Sequence, residues 1–310
     1  MRMAKKGRFL TRLLRDMRKN WLLWLMFLPV FIYYLIFSYV PMYGIVLAFK
    51  KFRAKRGILG SPWVGFDNFR RFFDGYNFEL LLKNTLGLSV YGLLLGFPIT
   101  IAFALMLNYL RQKKLKKSVQ LVSYAPHFIS TVVVCGMITI FLDPTSGIVN
   151  KLLGMIGVGP IAFLSEPGMF KTIYVLSDIW QGMGWNAIIY ISALAGVDYE
   201  LHEAAIIDGA TKLQRMRHVD LPSIKPTITM MLILQLGSIM SIGFEKVYLL
   251  QNSLNFAASD IISTYVYRVG LVNSDYGYST AVGLFNTLIN LAILVAANGV
   301  SRKVTGEGLW

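Results

Sequence analysis

Residues 203 to 210 read Glu203-Ala204-Ala205-Ile206-Ile207-Asp208-Gly209-Ala210, and a little further on the chain runs Val219-Asp220-Leu221-Pro222. This spacing predicts two short helices joined at a glycine. Asp198 or Asp208 is placed to cap a helix start, and Gly209 allows a turn that a Cβ would resist. Ala204, Ala205, Ile206 and Ile207 supply a small apolar face, and Lys212, Arg215, Arg217 and His218 a basic one. Leu221-Pro222 closes the second helix, because the residue before a proline is pushed out of the helical region. Amphipathy of this kind fits an ordinary surface loop or a knob that docks into something else.

Outward from this stretch the chain is apolar in both directions. Six runs have the length and composition of membrane spans, which need about 20 residues each. They lie at Trp21–Val40, Thr85–Leu107, Leu121–Leu142, Thr172–Ala195, Thr227–Gly243 and Thr280–Val300. The composition agrees: 55% of the 310 residues are hydrophobic and 15% are charged, where soluble domains carry about 25% charged residues. The expected fold is an all-α integral membrane bundle of six transmembrane helices. Pro29, Pro98 and Pro126 fall within or at the edges of spans, where neighbours or water can satisfy the freed carbonyls.

Charge sets the expected orientation. Lys and Arg total 31 against 16 Asp and Glu, a net charge of +15. That excess fits anionic lipid and the bias of basic loops to the cytoplasm. No basic soluble domain or nucleic-acid motif accompanies it, so nucleic acid is not an expected partner. Arg2, Lys5, Lys6, Arg8, Arg12, Arg15, Arg18 and Lys19 precede the first span, and Arg111, Lys113, Lys114, Lys116 and Lys117 separate the second from the third. Both segments fall on one side of a six-span chain, so both termini are expected in the cytoplasm. The loop of Lys50, Lys51, Arg53, Lys55, Arg56, Arg70 and Arg71 opposes this, although it also holds Asp67, Asp74 and Glu79. Within the basic start, Phe9, Leu10, Leu13, Leu14 and Met17 share one helical face, the pattern of a helix lying in the membrane interface. Residues 1–20 thus read as a cytoplasmic basic amphipathic segment and 21–310 as the transmembrane domain.

Glu-Ala-Ala, then Asp-Gly-Ala, then a branched apolar residue two places before Leu-Pro, resembles the EAA signature of type I ABC importer permeases. Val219 stands where isoleucine is usual and Met216 where an aromatic is common. Trp63-Val-Gly-Phe-Asp-Asn-Phe69, Tyr124-Ala-Pro-His-Phe-Ile-Ser130, Gly147-Ile-Val-Asn150, Gly243-Phe-Glu-Lys-Val-Tyr-Leu-Leu250, Thr264-Tyr-Val-Tyr-Arg268, Ala281-Val-Gly-Leu-Phe285 and Gly306-Glu-Gly-Leu-Trp310 extend the likeness over nearly the whole chain. Together they resemble the carbohydrate branch served by lipoprotein-bound oligosaccharide receptors. Ser263 departs from an acidic residue associated with that site in the branch.

The resemblance implies a MetI-like core at about residues 80–300, with the EAA loop at about 197–224 and the first span packed outside the core. It implies a second permease, a different chain by preference, an ABC ATPase dimer and an extracellular solute-binding lipoprotein as partners. A carbohydrate is the implied solute, in a bacterial cell membrane. The EAA pair would couple to the ATPase: Glu203 pairing with a basic group, Ala204, Ala205 and Ala210 packing in a groove, and Gly209 making the bend, with Asp208, Leu221 and Pro222 completing the pattern.

The chain lacks chemistry of its own for this work. No Gly-x-x-x-x-Gly-Lys-[Ser/Thr] loop is present, and no glycine is followed by lysine, so ATP and Mg are expected on the partner ATPase and no cofactor on this chain. His-Glu-x-x-His and Gly-x-Ser-x-Gly are also absent, and His127, His202 and His218 are scattered. The lone Cys135 excludes a disulfide framework. The competing readings are a stand-alone secondary transporter or channel, which leaves the EAA pattern unexplained, and a membrane-embedded enzyme, which lacks a catalytic cluster.

Polar groups within spans usually face a bundle interior or water. Asp178, Gln181 and Asn186 with Trp180 and Trp185 on the fourth span, Gln235 and Glu245 on and beyond the fifth, and Asn286 and Asn290 on the last are the candidate solute pathway. Aromatic rings beside amides suit the flat C–H faces and hydroxyls of sugars. Trp also favours membrane interfaces, and Asn pairs also join helices by hydrogen bonds.

Overall fold

A computed structural model describes residues 15–306 and 308–310. Most of the amphipathic segment expected at Phe9–Met17 lies outside them. Among the described residues the regular structure is all helical, and the one β feature is an isolated bridge between Lys50 and Trp63. The main helices are α1 Trp21–Phe49, α2 Phe78–Asn108, α3 Lys113–Phe128, α4 Thr131–Phe141, α5 Pro167–Ala195, α6 Tyr199–Ile207, α7 Lys212–Arg215, α8 Lys225–Leu236, α9 Phe244–Leu250, α10 Ile262–Tyr267 and α11 Tyr276–Thr305.

Three of these, α1, α2 and α11, are long and apolar enough to cross a membrane, and α3 with α4 makes a fourth if the bent pair is one span. The other two expected spans take different forms. α5 has the length, at 29 residues, but Asp178, Gln181 and Asn186 dilute its apolarity. The fifth is broken: α8 ends at Leu236, and the chain is irregular until α9 begins at Phe244. Such breaks are tolerated at membrane depth only where protein or water satisfies the backbone.

The third span also departs from a straight helix. α3 and α4 meet at 101°. Pro126 opens a 3-10 turn over Ala125–Phe128, Ile129 is extended, and the Ser130 hydroxyl caps α4 by accepting from the Val133 N–H. α1 instead runs past its expected end at Val40, tightening into a 3-10 segment, Val40–Phe49, that packs on α11. Its apolar surface is otherwise uncovered, as befits a helix outside the core.

The core has three apolar centres. Leu88, Phe170, Tyr174, Val175, Val247 and Ile261 join α2, α5 and α9. Phe72, Leu81, Met240, Ile262, Tyr278 and Val282 join α2, α10 and α11. Ala104, Leu105, Ala187, Tyr190, Leu194 and Ile224 join α2, α5 and the approach to α8. α2 and α5 run parallel in extensive contact, Val175 over Gly92 and Ile179 over Gly96. Where α3 crosses α5, a Cβ on Gly184 would run into the Ser123 carbonyl, so this crossing depends on glycine.

Candidate functional site

The loop after α5 folds as its sequence predicts, with one change of cap. Asp198 caps α6, its carboxylate accepting from the Glu200 N–H at 3.0 Å. Asp208 instead stands at the C-terminal end of α6. Gly209 follows with φ of 77°, its N–H donating to the Ile206 carbonyl at 3.0 Å, and the Ala210 N–H reaches the Ala205 carbonyl at 2.8 Å. These two bonds satisfy carbonyls that a helix end would otherwise leave open, and the left-handed residue between them is most cheaply glycine. Thr211 then starts α7 with a reciprocal capping box to Gln214. The chain widens into a π-helical turn over Met216–Asp220 before Pro222 opens the last short turn, Leu221–Ser223.

The pair projects from the bundle. No residue of α6 is buried. Ile207 is 86% exposed and Leu213 74%, with Tyr199, Leu201 and Ile206 also open. Glu203, Ala204, Asp208 and Gly209 are exposed beside them, while Ala205, Ala210 and Leu221 are half-buried and Pro222 exposed. Lys212, Arg217 and His218 are exposed and Arg215 is half-buried. This apolar surface with a basic margin sits at the C-terminal end of α2. Phe72, Phe78 and Phe285 cluster at the opposite end. With 31 residues at 1.5 Å each, the two ends are ~46 Å apart.

Beneath the knob lies a polar cluster that sequence reasoning passed over. Asp220 is 0% exposed. Its Oδ2 accepts from the Tyr109 hydroxyl at 2.6 Å, and its Oδ1 stands 3.3 Å from His202 Nε2 without hydrogen-bond alignment. Burial first, and then the Asp220 hydrogen bond and charge, push the Tyr109 phenol up, so Tyr109 is the donor. The Arg215 guanidinium lies 5.7 Å from the Tyr109 ring centre, and its buried Nε has no partner. Asp220 was visible in the Val219-Asp-Leu-Pro run, but nothing in spacing says that a π-turn points it inward.

A cavity of about 800 Å³ opens between α2, α5 and α8. Ser89 and Thr100 line it from α2, Asp178, Trp185, Asn186 and Tyr190 from α5, Gln235 from α8 and Ser238 from the break that follows it. Four of the nine sequence-predicted pathway residues therefore meet here: Asp178, Trp185, Asn186 and Gln235. Asp178 Oδ1 is 3.4 Å from the Nζ of Lys246, which is 4% exposed and also lies 5.3 Å from the Tyr174 ring centre. His127 stacks on Trp185 at 4.5 Å and 4°, and Phe128 meets it edge-on. The last turn of α3 thus holds the indole in place.

The other five stand elsewhere. Gln181 donates to the Ile129 carbonyl at 3.0 Å, satisfying the extended residue of the elbow. Trp180 and Glu245 are exposed outside the cavity lining. Asn290 is buried against the break in the fifth span, accepting from the Met240 N–H and donating to the Ser241 hydroxyl, both at 2.8 Å. Asn286 lies one turn away with Oδ1 buried and unpartnered. Shared face does not mean shared role: the expected Asn pair splits into one residue that repairs a broken helix and one that does not, and neither lines the cavity.

Comparison with known proteins places this geometry. Residues 96–306 match the family model described as binding-protein-dependent transport system inner membrane component. Protein LplB of Bacillus subtilis is 42% identical over 94% of this chain and 92% of its own length. The polygalacturonan/rhamnogalacturonan transport system permease protein YteP of the same organism is 43% identical over 99% and 94%. Among solved structures, a bacterial ABC transporter involved in the import of the acidic polysaccharide alginate contains a chain that superposes with a TM-score of 0.88 at 42% identity, covering 95% of this chain and 99% of that one. A crystal structure of an alginate ABC transporter in complex with an alginate pentasaccharide-bound periplasmic protein matches with the same TM-score at 41% identity, covering 96% and 100%.

Proposed function

The chain belongs to the family of binding-protein-dependent transport system inner membrane components, and from that premise we propose that it forms half of the transmembrane pathway of an ATP-driven oligosaccharide importer. It is a membrane-embedded permease subunit of the cell membrane. The observation that carries the finer reading is the exposed α6–α7 knob. Ile206, Ile207 and Leu213 stand open at one end of a bundle whose cavity sets a few rings and two amides among aliphatic side chains. A helical pair this apolar calls for a partner of matching shape, and the absence of a phosphate-binding loop in the sequence puts ATP and Mg on that partner.

In this reading Glu203 pairs with a basic group of the ATPase, Ala204 is presented to its groove, and Gly209 holds the bend between the helices. The knob and both termini are cytoplasmic, so the N-terminal end of α2 faces outward, where a receptor delivers the solute. Cargo of the oligosaccharide class is supported by the likeness to permeases whose names specify polygalacturonan and rhamnogalacturonan, arabinooligosaccharides, and trehalose or maltose. A second, different permease chain completes the pore. Sugar rings would pass Trp185 while Asn186, Gln235 and Asp178 meet hydroxyls.

Purification of the chain with its membrane partners tests this. An ATPase and a second permease should copurify, and hydrolysis should rise when receptor loaded with a matching oligosaccharide is added. Solute uptake by this chain alone, without an ATPase, would favour the secondary-transporter reading and overturn the proposal.

A further inference from the structure

α6 touches the bundle lightly, yet its movement has to reach helices that line the cavity. The Asp220 cluster is where these parts meet. His202 is the side chain through which α6 reaches inward, Tyr109 terminates α2, and Arg215 belongs to α7. α2 is also the helix that carries Ser89 and Thr100 into the cavity. A single buried carboxylate therefore touches both the docking helix and a pathway helix.

The cluster also holds unused hydrogen-bonding capacity. Asp220 Oδ1 and Arg215 Nε are both buried without a hydrogen-bond partner. Buried polar atoms in native proteins are seldom left unpaired, and an exception calls for an explanation. An unpaired donor on the residue before a π-helical turn and an unpaired acceptor on the last residue of that turn describe an element with a second arrangement in which they pair. π-turns recur at functional positions because they reset the direction of the side chains that follow. Here the turn closes with the Leu221 N–H on the Met216 carbonyl and directs Asp220 inward.

We propose that Asp220 is the positioning residue that carries displacement of the coupling loop into α2, holding Tyr109 in both states and acquiring Arg215 when the loop is pressed by its partner. This rests on the reading of α6–α7 as the ATPase-docking element. Asp220 touches neither solute nor nucleotide and acts through Tyr109.

The test uses the assembled transporter in liposomes with its receptor and measures solute uptake and ATP hydrolysis in the same preparation. Asp220→Asn, Tyr109→Phe and Arg215→Gln should each lower uptake per ATP hydrolysed, by about ten-fold for Asp220→Asn, within the range of couplings between distant sites. The ratio is diagnostic because a variant that merely folds or assembles less well loses uptake and hydrolysis together. Asp220→Asn combined with Tyr109→Phe should be no worse than Asp220→Asn alone, since the first removes the charge and the second the donor of the same link. If Asp220→Asn fails to assemble, Tyr109→Phe carries the test, since it removes a single oxygen and leaves the carboxylate in place. An unchanged ratio in the assembled variants overturns the proposal. Glu203→Lys and Gly209→Pro separate the two readings. If they uncouple while the cluster variants do not, only the role of Asp220 falls; if none uncouples, the docking reading falls with it.

Discussion

Replacing Asn290 and Asn286 one at a time with leucine separates two residues of identical chemistry, one turn apart on α11. Asn290 accepts from the Met240 N–H and donates to the Ser241 hydroxyl, both at 2.8 Å. Met240 is 1% exposed, so its N–H has no route to water once the amide is gone. A stranded buried donor costs about 1–3 kcal/mol. The Ser241 hydroxyl is exposed at the chain surface and not buried like the Met240 N–H, so it adds less. The loss should exceed the average of about 0.6 kcal/mol for an interhelical hydrogen bond in membranes, where the unfolded reference state finds other partners; the Met240 N–H sits at a break that offers it none. Asn286 differs in having no bond to lose. Its Oδ1 is already buried and unsatisfied, so leucine there should be close to neutral or slightly stabilising. Denaturation of each purified variant in detergent measures the contrast, with Asn290→Leu expected to be about 1–3 kcal/mol less stable than Asn286→Leu. Equal stabilities, or a larger loss at Asn286, would refute the assignment of Asn290 as the group that repairs the break.

Three further outcomes follow from the same structure. Gly184→Ala places a methyl group against the Ser123 carbonyl and should cost about 1–3 kcal/mol as overpacking, read as a lower unfolding temperature. Asp178→Asn leaves the Lys246 ammonium buried without its charge partner. Because the Asp178 side chain is itself 64% exposed, we expect about 1–3 kcal/mol rather than the cost of a fully buried pair, together with reduced uptake in the assembled complex. A reporter fused after Trp310 should be cytoplasmic and one inserted near Gly60 external; the reverse pattern would invert the bundle and move the knob away from any cytoplasmic ATPase.

Much of this protein is local and therefore readable from its residues in order. Apolar run length marked where the long helices lie, because transfer to lipid depends on summed side-chain hydrophobicity and hardly on neighbours. The α6–α7 loop was legible for a related reason: caps, a left-handed glycine and a helix-stopping proline act within a few residues of themselves. What the sequence could not decide was whether a run stays straight or breaks. Residues 227–243 read as one span, yet the chain interrupts them because Asn290, far along the chain, supplies the hydrogen bonds that make the interruption tolerable. Residues 121–142 likewise turn through a right angle whose extended residue is satisfied by Gln181. The same dependence divides the predicted pathway: helical periodicity puts Asn286 and Asn290 on one face, but which face meets the cavity is set by packing among α2, α5 and α8. Asp220 and Lys246 went unselected because a single charge in a sequence carries no sign of burial. Only the fold, by bringing Tyr109, His202 and Arg215 around one carboxylate and Asp178 and Tyr174 around one ammonium, gives those charges partners and so a role.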